Sequence, residues 1–425
     1  MERIAIIGSR TDMARHAKEL GLEVVLVHSP GSRPDRVQRY VDLMIECPVP
    51  VTEPDAVLDI LAPLHHDRPF RRVLAPGEDA VLAAAVASEK LGIPGNSVET
   101  VRAIKNKVLT RQAMERAGIS PVLHRVVASE AELLDFIAEV GGKVILKPID
   151  STGSLSTLPI DDAEQAPGAW ELFVADGHAE GLVEEFLEGP EVTLESFSTA
   201  GTHHPIGVDE YLKAPGQAVE IGDLFPGRVD PAVREEMVRL TRALLDAVGL
   251  LEGPSHTEFI LTDRGPRILE THCRIGGGGI HELVRRAYDI DLSRLQVAVP
   301  LGLETFTPHS LDAGRGAVMI HFMPKPGLVT AITGLDTLGV PVNHMPIETA
   351  WTGLIGLDPI RDAEVGVNLC LQVGEVAIPV RNNWELLMGF VVANGADADE
   401  AVARAEAVLD AITIETVPVD DTPGE

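Results

Sequence analysis

The first hundred residues alternate short β-branched runs with stretches of helical spacing. Arg3 to Gly8 and Leu22 to Val27 read as strands, and Thr11 to Leu20 between them suits a helix. The alternation continues through Val41 to Ile45, a helix from about Pro54 to Leu61, a strand Arg72 to Leu74, and a helix Ala80 to Leu91 closed by Gly92. Repeated β-α-β units predict a small doubly wound parallel sheet for residues 1 to about 100.

Farther along, Lys105 to Ala117 reads as one helix ending at Gly118. Val144 to Pro148 reads as a strand running into the polar loop Asp150 to Thr157. A strand Gly181 to Leu187 leads into the turn Glu188-Gly189-Pro190, and Glu191 to Ser198 alternates as a strand does. The helix Pro231 to Val248 stops at Gly249. Two facing strands, Ser255 to Leu261 and Pro266 to Thr271, are joined by Thr262-Asp263-Arg264-Gly265, which predicts a hairpin. Beyond about residue 308 come Gly/Pro-punctuated strands (Gly316 to Pro324, Gly366 to Val373) and a helix Asp397 to Ile412, read as a separate α+β lobe. The expected division is 1–103, 104–307 and 308–417, with a disordered tail at 418–425.

Bulk properties narrow the class. At 425 residues the chain is too long for one ordinary core and fits two to four domains. It is an α/β protein by its pattern, with no uncharged apolar run near the ~18 to 20 residues that span a bilayer. The chain opens directly into a strand rather than a signal-like segment, so the expectation is a cytoplasmic protein. Three scattered cysteines argue against disulfides and structural zinc. A net charge of -30 makes nucleic acid and anionic membranes poor partners, so any anionic ligand needs a local cationic pocket. Of only 8 lysines, four (Lys105, Lys107, Lys143, Lys147) lie close together in sequence, which suits phosphate binding.

The candidate chemistry sits in three places, once a fourth is set aside. The turn after the first strand has only Gly8, and His28-Ser29 replaces the acid that would close a dinucleotide-binding second strand, so that rival is set aside. The loop after Lys147 carries Ser151, Gly153 and Ser154, whose N–H and O–H groups suit phosphate oxygens. Lys147 itself, at a strand end, is expected to face that phosphate and to add little to the core. In the hairpin, Glu258 and Glu270 share one face with His272 and Arg274, and two facing carboxylates either hold a cation such as Mg²⁺ between them or form a solvated face that tolerates their repulsion; the core-like neighbours Phe259-Ile260-Leu261 and Arg267-Ile268-Leu269 favour the metal. Arg274 then opens Arg274-Ile275-Gly276-Gly277-Gly278-Gly279, a forked donor before a backbone that an anion can approach closely.

Taken in order, these pieces resemble the ATP-grasp carboxylate-amine ligases, particularly the L-amino acid ligase (dipeptide synthetase) branch and more distantly D-alanine-D-alanine ligase. The resemblance runs through Ile104-Lys105-Asn106-Lys107, Leu146-Lys147-Pro148, loop 151–157, the hinge Val183 to Glu191, and Glu270 to Gly277. It implies an ATP-grasp fold, ATP and Mg²⁺ (with Mn²⁺ as a substitute), and amide formation through an acyl phosphate with release of ADP and phosphate. Lys107 and Lys147 would contact ATP phosphates, the stretch Glu184-Glu185-Phe186-Leu187 would read adenine through the backbone of Glu185 and Leu187, and Glu191 would hold the ribose. Glu258 and Glu270 would bind the metal. Arg274, with Lys147 catalytic, would steady the transferred phosphoryl group and the substrate carboxylate, with Gly276, Gly277, His272 and Glu220 on the substrate side.

The implied partners are small carboxylate and amine substrates, amino acids in that branch, and a second copy of the chain in a homodimer. Two departures stand out: His272 occupies a position where many relatives have Asn, and the phosphate loop ends Ser156-Thr157 rather than Gly-Val. The alternatives are a biotin-carboxylase-like or purine-pathway ligase on the same scaffold, and a noncatalytic ATP-binding regulator.

Overall fold

A computed structural model describes residues 1–425 apart from 9–10, 33–36, 151–155, 215–218, 346–356, 358, 383–384, 387 and 420–425. The amino-terminal sheet is parallel, in the order Leu43–Glu46, Glu23–His28, Arg3–Ile7, Arg72–Leu74. Alternate residues of its strands enter different cores. Ala5, Ile7, Val25 and Val27 pack on one side, while Ile4, Ile6, Val24 and Leu26 pack on the other. That two-sided burial explains why these strands read as continuous apolar runs. The helix starting at Pro54 extends through Pro63 to Asp67, past the expected end at Leu61.

The expected single helix Lys105 to Ala117 is two, Val98–Lys105 and Lys107–Ala117. Asn106 leaves the helical region (φ -101°, ψ 111°), and its side chain accepts the N–H of Leu109. A residue whose short amide competes for backbone donors favours a cap over a helix interior. The break places Lys105 and Lys107 at a junction, and the Lys107 N–H donates to Ile149 O at 2.9 Å.

A small lobe follows, with strands ordered His124–Val127, Gly181–Glu185, Val144–Lys147, Leu158–Ile160, all antiparallel. Helices Glu130–Val140 and Ala166–Ala175 cover one face through Phe136, Ile137 and Phe173. The rest of the chain builds a nine-stranded sheet, Gly265–His272, Gly253–Thr262, Glu191–Thr199, Thr202–Lys213, Glu220–Phe225, Gly316–His321, Gly389–Gly395, Val365–Leu369, Val342–His344, and a three-stranded one, Val376–Ala377, Gly327–Thr333, Thr413–Val417. Strand Gly316–His321 pairs directly with Glu220–Phe225, so the segment after residue 308 continues this sheet instead of standing apart. Helix Leu292–Ala298 sends Val297 into the amino-terminal core and locks that sheet against the rest.

Candidate active site

The site is written in the two-residue alternation of the large sheet. On Glu191–Thr199, Val192 and Leu194 enter an apolar core, and Glu191, Thr193 and Glu195 face the other way. Thr193 lies opposite Asp209 on one neighbour and Glu258 on the other, and Glu258 lies opposite Glu270. A polar stripe therefore crosses the strands. The reverse face of the hairpin carries Thr257 and Thr271, whose hydroxyls meet at 2.9 Å.

Glu258, Glu270 and His272 each offer one ligand atom, and these atoms lie within 4.8 Å of one another. His272 Nε2 is 3.4 Å from Glu270 Oε1 and 3.8 Å from Glu258 Oε1. Two carboxylates and an imidazole form a donor set that fits a divalent cation. Lys107 Nζ stands 2.8 Å from Glu270 Oε2. Burial works against the charge of Glu270, but His272 and Lys107 hold its carboxyl well below the usual carboxylate range.

On the facing lobe, Lys147 Nζ is 2.6 Å from Glu184 Oε2, and Arg111 Nη2 donates to the same oxygen at 3.2 Å. Arg111 also donates to Ile268 O at 2.8 Å, tying the small lobe's acid to the hairpin. Burial opposes ionisation of Glu184; Arg111 and Lys147 outweigh it and bring its carboxyl down to about 2. Lys147 is thus a buried ion-pair member, contrary to the expectation that it adds little to the core. Glu185 accepts from Arg264 at 2.8 Å and from Leu123 N–H at 3.0 Å. The Glu185 N–H donates to Leu123 O and that of Phe186 to Lys143 O, so a ligand edge would meet the Glu185 carbonyl rather than its N–H. Lys143 Nζ lies 4.2 Å over the Phe186 ring.

Glu191 is half-buried with Lys213 Nζ at 3.7 Å. Burial and the charge of Glu258 push its carboxyl up to about 7, with Lys213 opposing. Its field is thus shared with the Glu258–Glu270 pair. Glu220 pairs across the sheet with Lys213; burial, then the charges of Glu258, Asp209 and Glu220, push the Tyr211 hydroxyl well above its ordinary value. Ser151, Gly153 and Ser154 lie outside the described residues.

Arg274 Nε lies 3.4 Å from Glu78 Oε2, and His272 Nδ1 lies 3.1 Å from the same atom. Glu78 also receives Lys105 Nζ at 2.7 Å on Oε1. Glu78 was not singled out in the sequence, although it follows the carboxyl end of a parallel strand, where α/β sheets place ligands. One small pocket is lined by Glu78, Lys105, Lys107, Lys147, Glu270 and His272. It draws on the amino-terminal domain, the small lobe and the hairpin at once.

The glycine run has a second use besides ligand access. An added Cβ at Gly276 would fall 2.8 Å from His256 Nδ1, at Gly278 3.0 Å from Asp223 Oδ2, and at Gly279 2.6 Å from Met319. Only the space beyond Gly277 is open. Beneath the run, His256 bridges Glu195 through Nδ1 and Glu258 Oε1 through Nε2, the latter at 3.3 Å. Burial opposes a charge on His256, yet Glu195 and Glu258 raise it to about 9. Asp209 is buried beside the half-buried Asp223; burial and the charge of Asp223 push Asp209 upward, and burial with the charge of Glu195 raises Asp223 to about 6 although its hydrogen bond with Asp209 opposes this. The signal for His256 was present in sequence, two residues before Glu258 on the same strand face.

Residues 14–95 match the ATP-grasp N-terminal domain and residues 104–278 the ATP-grasp domain. An L-arginine-specific L-amino acid ligase of Bacillus subtilis is 25% identical over 54% of this chain and 58% of its own length. A D-alanine-D-alanine ligase of Pseudomonas putida is 27% identical over 61% of this chain and 84% of its own. Among solved structures, an L-amino acid ligase from Bacillus licheniformis superposes with a TM-score of 0.75 at 21% identity, covering 98% of this chain and 99% of that one. The chain spans about half to three fifths of the length of several curated relatives that it matches. Among the described residues no helix is long and apolar enough to cross a membrane.

Proposed function

Because the chain carries an ATP-grasp N-terminal domain, an ATP-grasp domain and the fold that goes with them, we propose that it is an ATP-dependent carboxylate-amine ligase acting on amino acids. The observation that carries this reading is one pocket lined by Lys107 and Lys147 together with Glu270 and His272, with Arg274 joined to the same cluster through Glu78. Cations for phosphate and donors for a metal converge there, as phosphoryl transfer to a carboxylate requires. The names of the relatives, L-amino acid ligase and D-alanine-D-alanine ligase, support amino acids as the substrate class.

In this reading Lys107 and Lys147 hold the β- and γ-phosphate oxygens of ATP, with Glu184 and Arg111 fixing Lys147. Glu258 and Glu270 hold Mg²⁺, which when bound neutralises charge on the phosphates. Arg274 presents the substrate carboxylate, whose oxygen attacks the γ-phosphorus while the bond to ADP breaks. The amine of the second substrate then attacks the acyl carbon and phosphate leaves. A carboxylate is already a nucleophile, so the first step needs no Ser-His-Asp unit.

The test is phosphate release with amino acids offered singly and in pairs. The reading expects some pair to exceed both of its singles many-fold, with the matching amide detected by mass. No pair-dependent release across the standard amino acids would contradict amino acid ligation.

A further inference from the structure

We propose that His272 is the third protein ligand of the divalent cation, through Nε2, and that Glu78 of the amino-terminal domain is the positioning residue that aims its ring. The inference rests on the metal reading above and adds a ligand to it. His272 is 5% exposed, and its two ring nitrogens face different partners. Nε2 points toward Glu270 Oε1 and Glu258 Oε1 at 3.4 and 3.8 Å, separations that leave room for an ion among the three atoms. Nδ1 meets Glu78 Oε2 at 3.1 Å.

Metal-bound histidines characteristically donate the other ring N–H to a carboxylate, which fixes the tautomer and leaves the second nitrogen's lone pair for the metal. Glu78 is itself fixed, with Lys105 Nζ at 2.7 Å on its other oxygen and Arg274 Nε at 3.4 Å. The chain of contacts runs from the loop after Arg72–Leu74, through Glu78 and His272, to the carboxylate pair. The metal site is therefore complete only with the amino-terminal domain docked.

An imidazole nitrogen in place of an amide oxygen shifts the donor set toward borderline ions, so Mn²⁺ gains over Mg²⁺ relative to an all-oxygen site. His256 is the competing imidazole, since its Nε2 lies 3.3 Å from Glu258 Oε1. Its other nitrogen is engaged by Glu195 rather than by Glu78.

The experiment is pulsed electron paramagnetic resonance of Mn²⁺ bound to the full chain with ADP, using protein with natural-abundance or ¹⁵N-labelled histidine. The proposal expects modulation from one directly bound nitrogen that changes on ¹⁵N-histidine labelling, vanishes in His272→Asn, and persists in His256→Gln. Glu78→Gln, which keeps the shape of the side chain, should raise the Mn²⁺ Kd by about 10- to 100-fold. It supplies a second arm if His272→Asn does not fold. Mn²⁺ bound without histidine modulation, modulation that survives His272→Asn, or an unchanged Kd in Glu78→Gln each overturns the assignment and leaves the carboxylate metal site standing. Absence of any Mn²⁺ binding to the parent with ADP overturns the metal reading as well.

Discussion

Lys147 Nζ and Glu184 Oε2 lie 2.6 Å apart on neighbouring strands of the small lobe, with the residues 5% and 2% exposed. Arg111, buried as deeply, completes the group from the helix Lys107–Ala117. A lysine that sequence assigns to phosphate is therefore also part of the joint between lobe and hairpin. The two roles separate in mutants. Lys147→Ala should weaken ATP binding and lower the melting temperature together. Glu184→Gln strands two buried cations and should cost more stability, about 3 to 5 kcal/mol. Calorimetry and denaturant titration measure both; a Lys147→Ala protein that melts like the parent would contradict the structural role.

The Asp209–Asp223 pair gives a pH dependence of definite sign. Burial and the charge of Glu195 raise Asp223 from its ordinary 3.8 to about 6, and burial and the charge of Asp223 raise Asp209 as well. A carboxyl raised in the folded state binds its proton more tightly there than in the unfolded chain. The favourable contribution of Asp223 is thus complete below about pH 4 and is lost as pH rises through about 6. Asp209→Asn removes one acid and supplies an N–H toward Asp223. It should flatten this part of the stability curve and raise the melting temperature at pH 8 by a few degrees. Parallel curves for variant and parent would show that the pair does not share a proton.

Glu270 behaves differently from a repelled acid. With Lys107 at 2.8 Å and His272 at 3.4 Å its charge is already balanced. Glu270→Gln should therefore lower the melting temperature in the absence of metal, although sequence reasoning from facing carboxylates leads to the opposite expectation. Turnover at saturating ATP should fall by about two orders of magnitude or more. Near-normal turnover would remove the metal assignment.

The sequence and the structure part company where geometry depends on distant segments. The parallel sheet was legible because Ile4-Ala5-Ile6-Ile7 and Val24 to Val27 are buried on both faces, a pattern that local composition records. The hairpin was legible from its turn, and with it the facing of Glu258 and Glu270, which the register confirms. Glu78 was not, because its significance comes from a contact with His272, 194 residues away. Arg111 was hidden for the same reason, being one polar residue on a helix until Glu184 and Ile268 are brought to it. The break at Asn106 was obscured by good helix formers on both sides. The continuation of the large sheet into Gly316–His321 and Gly389–Gly395 has no local sign at all, since strand pairing order is a tertiary property.

The central claim is activation of a carboxylate as an acyl phosphate, and it has a direct isotopic test. An amino acid that supports pair-dependent turnover is supplied with ¹⁸O in its carboxylate, and the released phosphate is examined by ³¹P NMR or mass spectrometry. The account predicts ADP as the nucleotide product and one ¹⁸O carried into inorganic phosphate per amide formed. Recovery of the label in AMP, or phosphate free of ¹⁸O while amide accumulates, would contradict it.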